Sequence, residues 1–93
     1  TLVVGCAPHP DEMLHRENRD AVAAAIQNLL LGATAVGMAS FWSTPALTSP
    51  PTVLDLCGFD PADRVVGIVY LGWAATSVAV PDRPPVSVAH IDR

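Results

Sequence analysis

The sequence predicts a fold of class α/β or α+β, because strand-like segments enclose helical ones along the chain. Residues 1–7 (TLVVGCA) and 64–74 (RVVGIVYLGWA) are apolar and rich in β-branched residues, which is typical of strands buried on both faces. Between them, residues 20–45 carry no charge after Asp20 and predict a long apolar helix. The order strand, helix, helix, strand therefore requires helices over both faces of the sheet.

The composition indicates one small domain with an unusually large share of apolar residues. Ninety-three residues bury only a limited core, yet 51% of them are hydrophobic. This excess predicts that another copy or another segment covers part of the surface. Because Thr1 stands within an apparent strand, the chain is expected to be a fragment of a longer protein. The net charge of −4 argues against nucleic acid or an anionic membrane as a partner.

The long helix is expected to span residues 20–38, after a polar loop or short turn over residues 11–17. Asn18 or Asp20 is the expected N-cap, and Gly37 marks the end. The polar pair of Gln27 and Asn28 argues against a membrane span, as does the lack of a strong basic flank. That pair is instead expected to be buried and hydrogen-bonded to another helix or subunit.

The rest of the chain predicts shorter elements. Residues 39–44 indicate a strand or an extended crossing, and Ser49 with Pro50 predicts the start of a second helix that ends at Gly58. Residues 60–63 (DPAD) have turn chemistry. The proline-rich tail is expected to be extended and to lie across a surface.

The two cysteines give a simple expectation about the protein's compartment. Cys6 and Cys57 lie far apart, in no metal-binding or redox spacing. They predict two buried, reduced thiols in a cytosolic protein.

His9, Asp11 and Glu12 form the first candidate site, directly after an apolar strand. A histidine and carboxylates at such a position can hold zinc. The segment resembles the His-Pro-Asp-Asp motif of zinc-dependent N-deacetylases, with His90 and Asp92 as possible further ligands. Glu12 replaces the second Asp, however, and the rest of that pattern is missing. A zinc-dependent hydrolase is therefore one alternative, and a solvated turn is the other.

Trp42, Ser43 and Thr44 form the second candidate site, beyond the exit of the long helix. Hydroxyls and backbone N–H groups there can bind a phosphate, and an indole can flank a ring system. Composition alone favours the alternative, in which Trp42 is a core residue and the two hydroxyls cap a turn.

Taken in order, these segments resemble the C-terminal half of the nitroreductase family. Residues 41–44 (FWST) align with that family's Trp-Arg-Ser/Thr-Gly segment, and residues 64–72 (RVVGIVYLG) resemble its last core strand, which ends Val-Gly-hydrophobic-Tyr-Leu-Gly. The other matching segments are residues 20–21 (DA), 25–31 (AIQNLLL), 37–40 (GMAS), 50–53 (PPTV), 58–60 (GFD) and 83–85 (RPP). The resemblance implies an α+β fold with a mixed sheet, flanked by helices around a long buried central helix. Residues 1–93 would be the C-terminal portion of that single domain.

The resemblance also implies a function, that of a cytoplasmic FMN-dependent oxidoreductase. In that family NAD(P)H reduces FMN, which passes the hydride to a nitroaromatic, a quinone or a similar small-molecule acceptor. It further implies a homodimer with the long helix at the interface and FMN bound between the subunits. Trp42, Ser43 and Thr44 inherit a role in binding FMN, and Gly37 lies at a helix end that is near the nicotinamide in some members. No residue is implied as catalytic.

Two departures from the family bear on this function. Ser43 replaces an Arg that pairs with the phosphate, and Pro45 replaces a Gly. The half that supplies the family's paired Arg residues and its Pro-Ser segment is absent from the sequence. These residues alone are therefore expected to bind FMN poorly and to be inactive. The alternative is a non-enzymatic dimerisation or ligand-binding module that kept the fold and lost the cofactor.

Overall fold

The computed structural model describes residues 1–46 and 50–92, which contain three strands and two helices. In chain order these are β1 (Leu2–Cys6), α1 (Glu12–Ala35), β2 (Ala39–Ser43), α2 (Pro51–Leu56) and β3 (Arg64–Gly72). The predicted α+β class is confirmed, as are all three predicted strands. Ser49, expected to start the second helix, lies outside the described residues.

β3 is the middle strand of a three-stranded sheet with the order β1-β3-β2. Its β-branched residues pair on both sides: Ile68 lies opposite Val3 of β1, and Val69 lies opposite Trp42 of β2. Both pairings are antiparallel, whereas a mixed sheet was expected. β1 and β2 do run in the same direction, but β3 separates them, so no parallel pair forms among the described strands.

α1 begins at Glu12, earlier than the sequence predicted. Asp11 is the N-cap, and its Oδ1 accepts a hydrogen bond from the Leu14 N–H at 3.0 Å. This arrangement satisfies one of the free N–H groups of the first turn. The prediction of Asn18 or Asp20 as the cap is therefore wrong, because both residues lie inside the helix.

Gly37 ends α1 as predicted. The Gly37 N–H donates to Thr34 O at 3.0 Å, and the Met38 N–H donates to Ala33 O at 2.9 Å. This Schellman pattern needs a left-handed residue after the helix, and Gly37 supplies it with φ +81°. Gly58 ends α2 in the same way, with φ +75°.

The core lies between α1 and one face of the sheet. Its buried members are Cys6, Ile26, Val66 and Val69. Partly buried side chains surround them, namely Val4, Val22, Leu30, Trp42 and Leu71. The helix is thus buried along one stripe rather than on nearly every side.

Two predictions about burial have different outcomes. The prediction of two buried thiols is wrong, because Cys57 at the end of α2 is exposed and only Cys6 is buried. Gln27 and Asn28 are exposed among the described residues, and their burial against another helix or subunit stays a prediction. In the described residues a single layer, the sheet, packs on α1, so the other side of the helix has no cover. No helix in the described ranges is long and apolar enough to cross a membrane.

The described residues form an open structure with much apolar surface. The radius of gyration is 16.8 Å, against about 13 Å for a compact domain of this size. The tail from residue 76 is exposed and outside the sheet, and large apolar side chains are exposed elsewhere, including Met13, Leu31, Phe41, Tyr70 and Trp73.

Candidate functional site

The segment from Trp42 to Thr44 runs from the end of β2 into the following loop. Trp42 lies opposite Val69 and Ser43 opposite Ile68 in the β2–β3 pairing. Because side chains alternate along a strand, the indole faces the α1 side of the sheet and the Ser43 side chain faces the other. The side chains of Trp42 and Ser43 therefore do not converge on one point.

The Trp42 indole lies directly on Gly67 of β3. A Cβ built at Gly67 would come within 2.6 Å of Trp42 Cδ1, which real Cβ atoms essentially never do, and within 3.1 Å of Cε2, which is tighter than most real contacts. Only glycine leaves room for the ring at this position. The indole also packs against the core cluster, so Trp42 is a core residue, as the alternative interpretation held.

One polar atom of Trp42 has no hydrogen-bond partner within residues 1–46 and 50–92. Its Nε1 is buried and has no hydrogen-bond acceptor among the described residues. Buried polar groups in folded proteins are nearly always hydrogen-bonded, and an unpaired one costs about 1–3 kcal/mol. The ring is therefore held here by its shape and not by a hydrogen bond within the described chain.

Thr44 connects the loop to β3. Its hydroxyl Oγ1 donates to the backbone carbonyl of Val66 at 3.3 Å. The hydroxyl thus bonds to a neighbouring strand and does not cap a local turn. No charged residue lies between Asp20 and Asp55, so this segment offers neutral donors only.

Gly37 lies on another part of the surface, near the end of β3. A Cβ built on it would be 3.8 Å from Cζ3 of Trp73. Beside this contact is an open depression of about 300 Å³ formed by the ends of β2 and β3; it is lined by Ala39, Ser40, Phe41, Tyr70, Leu71, Gly72 and Trp73. The Phe41 and Tyr70 rings stack at its floor, with centroids 6.4 Å apart. No sequence motif predicted this depression, although Phe41, Tyr70 and Trp73 are three of the five aromatic residues in the chain.

His9, Asp11 and Glu12 have other partners than a metal ion. The Asp11 N–H donates to His9 Nδ1 at 3.0 Å, the Asp11 carboxylate caps α1, and Glu12 pairs with Arg16 at 3.6 Å. Within residues 1–46 and 50–92, no group of three or more His, Cys, Asp or Glu side chains could hold a metal ion. The geometry of this segment is that of a helix start, and it gives the zinc alternative no support.

Comparison with known proteins shows what this arrangement belongs to. The profile of the nitroreductase family matches residues 8–73, which include α1, the Trp42–Thr44 segment and β3. The chain belongs to the nitroreductase family. "Putative NAD(P)H nitroreductase YdjA" of Escherichia coli K12 is 34% identical over 73 residues, covering 74% of this chain and 40% of that protein. The same protein of E. coli O157:H7 matches equally.

A solved structure agrees with the family assignment. The crystal structure of a nitroreductase-like family protein from Bacillus cereus superposes with a TM-score of 0.82 at 26% identity, and the match covers 89% of this chain and 44% of that one. The chain therefore spans about two fifths of the length of the relatives it matches. The predicted family and fold are confirmed, while the roles of Gly37, Trp42, Ser43 and Thr44 in binding a cofactor stay predictions.

Proposed function

We propose that these residues are the C-terminal portion of an FMN-dependent oxidoreductase domain. In the complete protein NAD(P)H reduces FMN, and the flavin passes the hydride to a nitroaromatic, a quinone or a similar small molecule. The observation that carries this proposal is the contact between the two family motifs. The Trp42–Thr44 segment and Gly67 of the last core strand touch through the indole, in a chain of the nitroreductase family.

The residues present fit part of FMN. Ser43 supplies a hydroxyl, and the loop after β2 has backbone N–H groups; these are suitable donors to a phosphate or a ring carbonyl, whereas the Thr44 hydroxyl already donates to Val66. No positive charge is available in this segment because Ser43 stands where the family has Arg. We infer that this segment orients FMN and that cations elsewhere in the complete protein neutralise the phosphate.

The chemistry itself would come from the bound cofactor. FMN supplies hydride transfer, and the protein supplies binding, orientation and exclusion of competing reactions. The partly buried indole, the Thr44–Val66 hydrogen bond and the Schellman turn at Gly37 hold the surrounding backbone in one conformation. A preorganised backbone of this kind lowers the entropy lost when a ligand binds.

The exposed apolar surface supports a larger assembly. Leu29 and Leu31 on α1 are exposed, and exposed apolar surface on a helix is often covered by a partner. We propose that the complete protein is a homodimer with α1 at its interface. We place it in the cytoplasm because Cys6 and Cys57 of this chain are free thiols, as is usual in a reducing compartment.

Ser43 favours a second candidate function, a dimerisation or ligand-binding module that has lost the cofactor. Loss of the family's Arg removes a charge-assisted hydrogen bond, which is worth about 1.5–3 kcal/mol. This module would keep the fold described above and bind no FMN.

Visible absorption separates the two functions. The complete protein and these 93 residues are purified separately by gel filtration, and each spectrum is recorded before and after addition of FMN. A flavin band in the complete protein alone supports the proposed function, and NAD(P)H oxidation with a quinone acceptor then tests the activity. If neither sample binds FMN even when it is added, the non-enzymatic module is the better account. Stoichiometric flavin in the 93 residues alone would contradict the expectation that they bind it poorly.

A further inference from the structure

The end of β2 contacts β3 through the side chain of Trp42, which packs on Gly67. Gly67 has no side chain, and the Trp42 indole occupies the space that a Cβ would fill. The ring is held between this glycine and the core residues packed against it, including Ile26 and Val69. Movement of the indole would therefore disturb the strand that leads into Ser43 and Thr44.

A second contact between the segments joins Thr44 to Val66, the residue before Gly67 on β3. In the β1–β3 pairing, Val4 lies opposite Gly67 and Gly5 lies opposite Val65, which leaves Val66 without a partner in β1. The β2–β3 pairing ends where Ser43 lies opposite Ile68. Irregularities of this kind leave backbone groups outside the regular ladder. The Val66 carbonyl receives its hydrogen bond from Thr44 Oγ1.

We propose that Gly67 and Val66 are positioning residues for the cofactor-binding segment Trp42–Thr44. This inference rests on the proposed function and deepens it. The indole does not stack on the flavin, because it is committed to Gly67 and to the core. The packed indole positions the backbone of β2 at Trp42, and the Thr44–Val66 hydrogen bond positions the residue that follows β2. The bulge on β3 thus sets where the donors of the segment lie.

The chain offers a matched control for this inference. Gly5 on β1 also lies under an aromatic ring: a Cβ built there would be 2.8 Å from Cε1 of Phe59. Gly5→Ala and Gly67→Ala therefore impose the same kind of steric clash in the same sheet. Only Gly67 touches the proposed cofactor-binding segment.

The test is FMN titration of the complete protein, followed by flavin fluorescence, with the thermal unfolding midpoint of each variant measured in parallel. We expect Gly67→Ala to weaken FMN binding about tenfold or more, since small misplacements of binding groups have effects of up to about a hundredfold. Its bound-flavin absorption spectrum should also shift. Gly5→Ala should lower the unfolding midpoint and change the dissociation constant for FMN less than about twofold.

A second pair of variants keeps the inference testable if Gly67→Ala does not fold. Thr44→Val removes the hydrogen bond to Val66 and should weaken FMN binding by about two- to tenfold. Thr44→Ser keeps the hydroxyl and should restore the affinity of the wild type.

The outcomes separate failure of the inference from failure of the proposed function. If Gly67→Ala and Gly5→Ala weaken FMN binding equally, the role of Gly67 is only structural and the inference is overturned. The same holds if Gly67→Ala and Thr44→Val bind FMN as tightly as the wild type. If the wild type binds no FMN, the proposed function fails first, and the inference fails with it.

Discussion

Ile26 is the side chain through which α1 packs most completely on the sheet. It is 2% exposed and lies in the core cluster with Val66 and Val69. Ile26→Val removes one buried carbon, worth about 0.8 kcal/mol of transfer free energy, and should destabilise the fold by about 1 kcal/mol. Ile26→Ala removes three carbons, worth about 2.4 kcal/mol before the cavity is counted, and should cost about 2–5 kcal/mol.

Urea unfolding of the complete protein, followed by circular dichroism, measures this series. The midpoint should fall in the order wild type, Ile26→Val, Ile26→Ala, while the slope of free energy against urea stays constant. Glu17→Ala changes an exposed residue of the same helix and should alter the free energy of unfolding by less than about 0.5 kcal/mol. If Ile26→Ala costs no more than Glu17→Ala, α1 does not pack on the sheet as described.

Three further substitutions test the helix start, the core and the candidate site. Asp11→Ala removes the cap of α1 and should lower the free energy of unfolding by about 0.5–2 kcal/mol, measured by thermal unfolding. Asp20→Ala lies inside the helix and should lower it by less than about 0.5 kcal/mol. Equal losses would contradict a helix that begins at Glu12. Leu30→Asp places an unpaired carboxylate against the core and should abolish the soluble, folded protein; elution of this variant like the wild type on gel filtration would mean that the helix is not central. Ser43→Arg should tighten FMN binding about tenfold or more, because it adds a charge-assisted hydrogen bond to the phosphate. An unchanged dissociation constant for FMN would show that Ser43 does not face the phosphate.

The strands and helix ends could be predicted because local chemistry determines them. β3 combines β-branched and apolar residues over nine positions, and such a segment is stable only as a central strand. Gly37 and Gly58 both adopt positive φ, a conformation that other residues avoid, so each glycine marked a helix end correctly. These signals do not depend on distant parts of the chain.

The start of α1 was missed because its first two turns bury almost nothing. Residues 11–17 (DEMLHRE) lack apolar periodicity, which predicts a polar loop or a short helical turn. Their intrinsic helix propensity is good, however, and Asp11 supplies both the cap and the negative charge that favours a helix N-terminus. Helix propensity and capping, rather than hydrophobic pattern, predict the correct start of α1.

The contact between Trp42 and Gly67 was beyond sequence reasoning because it depends on strand register. A shift of one residue between β2 and β3 would turn the indole to the opposite face of the sheet. The sequence singled out the Trp42–Thr44 segment and the Val-Gly motif separately. Only the pairing of Trp42 with Val69 brings the indole over Gly67, which lies two residues before Val69 on β3.

The unusual hydrophobicity of the chain is explained by the second face of its sheet. Phe41 is 64% exposed and Tyr70 is 47% exposed, while α1 covers only the opposite face. A sheet with two apolar faces is stable when a layer packs on each of them, and these residues supply one such layer. The relatives are more than twice as long as the region they share with this chain. A second layer on Phe41 and Tyr70 would raise the stability of the sheet, and we therefore expect the complete protein to unfold at a higher temperature than these 93 residues.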